Sequence, residues 1–253
     1  MIPDTLSLKA DAAGQRYKAL TDAWQALYGR ALSSPDFGTA GYSDTIVREA
    51  YDIAQTYLDR ENDRIDADLY EIAIEAQGLV SREIAHADSD LLAVEAQTHL
   101  SETQIYLRDE IIAQIHRDIA NLRQTLQRAV LDVSMIARTR RLKERAAVIA
   151  WRLANDQTLD FNFTDRRQRR TPSAKFVRNL WRQTLLSVFN ETTLMTIADF
   201  GGDTAAVLKV VEGVVQKVET ISLNGSGLTY SDIRADMFHP NSNAYLGVDN
   251  VSA

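Results

Sequence analysis

Apolar residues recur at helical spacing over most of the first 155 residues. A stripe that returns every three or four residues is typical of an amphipathic helix that buries one face. Residues 46–80 carry one such stripe, and residues 111–136 carry a second. The second stripe consists of Ile111, Ile115, Ile119, Leu122, Leu126, Ala129, Val133 and Ile136. Both patterns predict long helices.

The middle of the chain lacks the two strongest helix breakers. No glycine or proline occurs between Gly78 and Pro172, so the breaks between helices have to be predicted from capping residues. The candidate caps are Asp88, Ser89 and Ser101. We expect a helical hairpin with its turn near residues 86–102. Its second helix is expected to continue to about Ala154, which is roughly 80 Å of helix if it is unbroken.

One further helix is predicted ahead of the two stripes. Residues 11–32 show a third apolar stripe, and the segment "SSPDFGTAGYSD" at 33–44 has the Ser, Gly and Pro content of a loop. The apolar residues of this stripe are Tyr17, Leu20, Trp24, Leu27 and Tyr28.

The character of the sequence changes after Asn155. Residues 156–172 are polar and irregular, and Ser173 can cap a helix over 174–200 that ends at Gly201. This helix is expected to carry part of the core in its aromatic residues Phe176, Trp181 and Phe189.

The run that follows is rich in β-branched residues. Residues 204–223 have Glu212 and Gly213 at their centre, which favours a β-hairpin. A helix capped by Asp203 is the competing interpretation. A short helix is predicted to follow over about 229–238.

These elements predict a mainly α protein. Residues 1–155 are expected to form a helical domain built on a hairpin of long antiparallel helices. Residues 156–253 are expected to form a small α+β C-terminal domain that contains the β-hairpin.

Composition narrows the possible classes of function. With 253 residues, of which 45% are hydrophobic, the chain can bury a sizeable core. The complete lack of cysteine excludes disulfides, thiolate nucleophiles, zinc-thiolate sites and iron–sulfur clusters. The first residues show no secretory signal pattern, and no stretch approaches the ~18 apolar residues of a membrane helix. We expect a soluble protein that is made in a cytoplasm and has no membrane partner.

Charge is distributed unevenly along the chain. Residues 1–137 carry 12 basic and 23 acidic side chains, residues 138–182 carry 13 and 4, and residues 183–253 carry 3 and 8. A segment of net charge +9 therefore lies between segments of net charge −11 and −5. Such asymmetry indicates a charged partner or an acidic surface of the same protein.

Eight arginines of the basic segment are candidate contacts for DNA or for an acidic partner. Clustered guanidinium groups bind phosphates and release counterions from nucleic acid. The alternative is that they pair with the acidic N-terminal helices. No aromatic residue is interleaved among them, which argues against a stacking platform for single strands. They are Arg138, Arg140, Arg141, Arg145, Arg166, Arg167, Arg169 and Arg170.

Other candidate chemistry is sparse. The helical histidines His86, His99 and His116 form no H-E-x-x-H pair, and we interpret them as ordinary helix residues. A metal needs three or four ligands. A metal site at His239 would have to take its other ligands from Asp199, Asp232 and Asp236. We expect no metal, no cofactor and no catalytic residue, with an enzyme of unrecognised type, such as a wall-degrading hydrolase, as an alternative.

The last 75 or so residues resemble a known family. A helix with "FNETTLMTIADFGG" is followed by a β-rich stretch and then by "TYSDIRADMFHPNSNAYL". This order is similar to the C-terminal region of phage head morphogenesis proteins, the Mu F-like minor head family. The family's arginine is not found at position 190, and the cysteines that often flank its His-Pro turn are absent. The residues that match are Asn190, Glu191, Thr192, Gly201, Gly202, His239, Pro240 and Asn241.

The resemblance implies an architectural role. Such a protein is made in the host cytoplasm and becomes a low-copy virion component inside the capsid or near the portal. Its expected partners are portal or capsid proteins, in an oligomeric assembly, and packaged double-stranded DNA. The alternative is a DNA-binding or packaging-associated protein that acts through residues 138–182.

Overall fold

Helices dominate the part of the chain that the structure describes. The computed structural model describes residues 2–39, 41–85, 92–155 and 158–249. The helices in these ranges are α1 (Ile2–Ser33), α2 (Tyr42–Ala85), α3 (Val94–Arg140), α4 (Glu144–Ala154), α5 (Ser173–Asp199) and α6 (Tyr230–Met237). The strands are β1 (Asn162–Thr164), β2 (Arg170–Pro172), β3 (Thr204–Val211), β4 (Val214–Ser222) and β5 (Ala244–Val248). The prediction of a mainly α protein with a small α+β C-terminal part is confirmed.

The long helices follow the predicted apolar stripes. The first stripe lies within α2 and the second within α3, whose apolar residues are buried from Ile111 to Val133. Ser101 lies inside α3 and does not cap it, because Ala96 and Leu100 already extend the buried stripe ahead of it. The other candidate caps, which lie outside the described residues, are Asp88 and Ser89.

The prediction that this helix continues to Ala154 is wrong. α3 ends at Arg140, and Arg141 takes a left-handed conformation with φ +53°. The amide of Leu142 then donates to the carbonyl of Ala137 at 3.0 Å, which is the closing bond of a Schellman-type helix end. The sequence hid this break because glycine usually occupies the left-handed position.

The C-terminal strands form a three-stranded antiparallel sheet in the order β4-β3-β5. β3 pairs with β4 along its whole length and with β5 from Ala205 to Lys209. The hairpin interpretation of residues 204–223 is therefore confirmed over the helical one. β4 is an edge strand, and most of it is exposed.

We expect Glu212→Asn to stabilise this hairpin by up to about 1 kcal/mol. Glu212 and Gly213 form its two-residue turn, with φ values of +51° and +80°. A turn with two positive φ values favours Asn-Gly, since asparagine tolerates this region better than glutamate does. Urea unfolding of the two proteins measures the difference, and a variant less stable than the wild type would contradict this account of the turn.

The segment 156–172, predicted to be irregular, contains a second hairpin. β1 and β2 pair antiparallel, with Phe163 opposite Thr171. The prediction missed it because strands of three residues are too short to show an alternating pattern.

The chain forms two compact units. The first unit consists of Met1–Ala13, Asn62–Asp109 and Arg178–Ala253, and the second consists of Gly14–Glu61 and Glu110–Val177. The unit boundaries fall inside α1, α2, α3 and α5. The predicted domain boundary near residue 155 concerns which parts of the chain fold independently. It stays a prediction.

Each unit has its own apolar core. In the first unit, α5 contributes Trp181 and Phe189 and the sheet contributes Val207 and Leu246, all of which are buried. In the second unit Trp24 is fully buried, and its indole N–H donates to the Ala50 carbonyl at 3.0 Å. The core interpretation is therefore correct for Trp181 and Phe189, whereas Phe176 is only half-buried.

Candidate functional site

The eight candidate arginines occupy two places in the second unit. The first four, Arg138, Arg140, Arg141 and Arg145, lie at the end of α3 and the start of α4. Arg166, Arg167 and Arg169 lie in the turn between β1 and β2, and Arg170 is the first residue of β2. Arg170 lines a cavity with Thr125 of α3, which is 13 residues, or about 20 Å of helix, before Arg138. The structure therefore does not merge the two clusters into one continuous patch.

Almost all of these guanidinium groups lack an acidic partner within the part of the chain that the structure describes. Among the described residues the only salt bridge of this set joins Arg169 to Asp165, at 2.6 Å. All eight side chains are exposed. Within the described part of the chain these arginines therefore form no salt bridge with the acidic N-terminal helices.

The β1–β2 turn is organised by the Asp165 carboxylate. Its Oδ1 accepts the backbone N–H of Arg167 at 2.8 Å and of Arg169 at 2.9 Å, and its Oδ2 accepts the Arg169 Nε–H at 2.6 Å. Hydrogen bonds from the backbone and side chain of Arg169 hold the pKa of this carboxyl below its ordinary value. The spacing of Asp165 and Arg169 was visible in the sequence, yet the aspartate was not predicted to matter.

A cluster of charged and polar side chains lies in the first unit, where α3, α5 and α6 meet. Its members are His99, Ser187, Glu191 and Arg234. The Nε2 atom of His99 lies 2.7 Å from Oε2 of Glu191, and an Nη2 atom of Arg234 lies 3.3 Å from Oε1. Ser187 bridges Glu191 and Arg234. Its hydroxyl donates to the Glu191 carboxylate at 2.7 Å and accepts from the Arg234 guanidinium at 2.7 Å. These side chains, with Tyr106, line a cavity of about 360 Å³.

The contact between His99 and Glu191 favours the charged form of each side chain. The hydrogen bond to Glu191 raises the pKa of His99 above 6.5, against the effect of burial. Burial raises the pKa of Glu191, but hydrogen bonds from His99 and Ser187 leave it below its ordinary 4.5. His99 lies in helix α3, as interpreted, but it also forms an ion pair that the sequence did not predict. No sequence signal links it to a partner 92 residues away.

Glu191→Gln is expected to lower the pKa of His99. The His99 contribution to stability is complete below pH 6.5 and is lost as pH rises through its raised folded value. The Glu191 contribution is present above pH 4.5 and is lost as pH falls through its lowered folded value. An NMR titration of the His99 ring in the two proteins measures the change. An unchanged His99 titration would contradict the ion pair.

The residues of the family-like motif have structural contacts. Asn190 is fully buried, and its Oδ1 accepts the Leu246 N–H of β5 at 2.9 Å. Thr192 is also buried. Gly201, two residues after the end of α5, has φ +77°, and the Gly202 amide closes the helix end on the Ile197 carbonyl at 2.9 Å.

The terminal His-Pro turn is held by its own backbone. The Asn241 N–H donates to Nδ1 of His239 at 3.2 Å, and the Ser242 N–H donates to the His239 carbonyl at 2.8 Å. Arg182 of α5 donates to the Ser242 carbonyl at 3.1 Å, which fixes the chain after Pro240. The ring of His239 is exposed, and no group of three or more His, Cys, Asp or Glu side chains in the described ranges is arranged to hold a metal ion.

A buried polar network lies in the second unit and was not predicted. Asp118, only 1% exposed, accepts the Tyr17 hydroxyl at 2.8 Å, the Ser173 hydroxyl at 2.9 Å and the Gln114 amide at 3.1 Å. Burial raises the pKa of Asp118 to about 6, although these hydrogen bonds oppose the shift. Ser173, predicted as the cap of α5, is its first residue and directs its hydroxyl to Asp118 instead.

Comparison with protein-family models, curated proteins and solved structures gave no match to this chain. Among the described residues no helix combines the length and apolar content needed to cross a membrane.

Proposed function

We propose that this protein is a minor structural component of a phage head, located inside the capsid or near the portal, and that it acts without catalysis. The proposal rests on the resemblance of its C-terminal residues to the Mu F-like minor head family. Its partners are then other virion proteins in an oligomeric assembly.

The observation that best supports this role is the hydrogen bond between Asn190 and Leu246. The matching residues belong to two short motifs about 50 positions apart in the sequence, and this bond joins the first motif to the strand that follows the second. The two motifs therefore contribute to one structural element of the first unit. Their polar groups are used in helix ends, turns and strand contacts, which is the chemistry of an architectural domain.

Co-sedimentation tests the proposal. Lysate from induced cells that carry the gene is separated on a density gradient, and each fraction is probed for this chain and for the major capsid protein. The chain should sediment with the particles and stay with them after a high-salt wash. A chain found only in the soluble fractions at the top of the gradient would contradict the proposal.

A second candidate function is binding of double-stranded DNA through residues 138–182. It is favoured by the seven candidate arginines that have no ion-pair partner among the described residues. Unpaired guanidinium groups are available to neutralise phosphates and release counterions. A protein inside a filled capsid would meet packaged DNA, so the two functions are compatible.

A further inference from the structure

We propose that the arginine loop, residues 165–170, contacts the phosphate backbone of double-stranded DNA, and that Asp165 is a positioning residue that holds the loop in its binding conformation. This inference rests on the second candidate function and specifies the surface and the type of contact. It does not depend on whether the protein is a virion component.

The loop supplies a dense set of free cations. Arg166, Arg167 and Arg170 are exposed and have no acidic partner among the described residues. Arg169 is paired with Asp165, but its side chain is still 72% exposed. Four guanidinium groups within five consecutive positions match the close spacing of phosphates along a duplex.

The conformation of the loop is fixed before any ligand arrives. Besides the three hydrogen bonds to its carboxylate, the Asp165 carbonyl accepts the Gln168 N–H at 3.0 Å. The Asp165 N–H in turn donates to the Arg169 carbonyl at 3.1 Å. Gln168 takes a left-handed φ of +61°, which costs free energy for a residue other than glycine. A preformed loop loses less conformational entropy when it binds than a flexible arginine-rich segment does.

The surroundings of the loop favour a duplex over a single strand. Single strands bind by stacking their bases on exposed aromatic rings. Beside the loop, the ring of Phe163 stacks on Phe176 with centroids 4.0 Å apart, and the Arg117 guanidinium lies 5.3 Å from its centroid. Phe176 and Arg117 therefore cover the Phe163 ring, so that it is not available to stack on a base. The loop is left to bind through contacts with phosphates.

The arginines at the end of α3 provide a matched comparison. Arg138, Arg140 and Arg141 carry the same charge as the three free arginines of the loop, but no described carboxylate organises them. If charge alone determined binding, the two sets would be equivalent. If the preformed loop determines it, only the loop arginines matter strongly.

The experiment measures binding to a short labelled duplex of mixed sequence by fluorescence anisotropy over a range of salt concentrations. The loop variant R166A/R167A/R170A is compared with the control R138A/R140A/R141A, which removes the same charge. Loss of three phosphate contacts should weaken binding at least tenfold and reduce the slope of log K against log salt by about 2.7. Because these arginines also belong to the basic segment, this second variant should weaken binding through its lost charge, but several-fold less than the loop variant does.

The Asp165→Ala variant distinguishes the positioning role of Asp165 from the effect of its negative charge. It makes the protein more positive and frees Arg169, so an account based on charge alone predicts tighter binding. We expect several-fold weaker binding instead, with Asp165→Asn close to the wild type because its amide oxygen can still accept the backbone N–H groups. Circular dichroism and urea unfolding check that each variant is folded.

Several outcomes would overturn the inference. Equal losses in the two triple variants, or tighter binding by Asp165→Ala, would show that the loop has no special role while DNA binding itself stands. Competition by polyglutamate as effective as by duplex would indicate an acidic polypeptide as the partner. A wild-type protein that does not bind the duplex would remove the second candidate function and this inference together.

Discussion

Asp118→Asn is expected to make the protein more stable at neutral pH, by up to about 3 kcal/mol. The pKa of Asp118 is raised from 3.8 to about 6 because the carboxylate is buried. Each unit of pKa difference between the folded and unfolded states corresponds to ~1.4 kcal/mol. An asparagine has no charge to bury, and its amide can still bond to Tyr17, Gln114 and Ser173.

The sign of the effect follows from proton linkage. The folded protein binds the Asp118 proton more tightly than the unfolded chain does. This group therefore contributes its full stability only below about pH 3.8, and the contribution is lost as pH rises through about 6. The wild type and Asp118→Asn should differ little near pH 4, and the variant should become the more stable one as pH increases to about 7.5.

Urea unfolding of both proteins across this pH range makes the measurement. Asp22→Asn is a suitable control, since Asp22 is exposed and forms only a surface pair with Lys18. Its effect should be no more than a few tenths of a kcal/mol, because exposed ion pairs contribute little to stability. An Asp118→Asn variant that is less stable than the wild type by a constant amount at every pH would show that the hydrogen bonds, and not the buried charge, dominate at this position.

Asn190→Ala is expected to destabilise the protein by about 2–3 kcal/mol. The substitution leaves the buried Leu246 N–H without its acceptor and opens a small cavity between α5 and β5. His239→Ala is the matched comparison within the same motif set. Because the His239 ring is exposed, its loss should cost no more than ~0.5 kcal/mol.

Thermal and urea unfolding of the two variants distinguish an architectural motif from a functional one. If Asn190→Ala unfolds like the wild type, the hydrogen bond to β5 does not stabilise the sheet. If His239→Ala costs as much as Asn190→Ala, the terminal turn has a larger role than its exposed ring indicates. Either result would weaken the structural interpretation of the family-like residues.

The elements that the sequence predicts well are those with a long local signal. The apolar stripe from Ile111 to Val133 and the β-branched run around Glu212 and Gly213 both extend over many residues, and both are found as expected. The break after Arg140 has no such signal, because an arginine occupies a position that glycine usually takes. The strands β1 and β2 are too short to predict from periodicity.

The polar clusters could not be predicted for a different reason. Asp118 and Tyr17 are 101 residues apart in the sequence, and His99 and Glu191 are 92 apart, so only the folded chain brings them together. The arginines of the basic segment were recognisable from their density alone. Seven of the eight candidates have no acidic partner among the described residues, and Asp165 orders the turn through Arg167 and Arg169. Both facts depend on geometry that one-dimensional spacing does not contain.

The central claim is that this chain is a low-copy part of a phage head, and quantitative mass spectrometry of gradient-purified particles tests it most directly. The account predicts that peptides of this chain occur in every particle preparation at a constant ratio, well below that of the major capsid protein. The ratio should be the same after nuclease treatment of the particles, because the account places the protein inside the capsid or at the portal and not on DNA outside it. Particles that are complete and infectious but contain none of this chain would contradict the account.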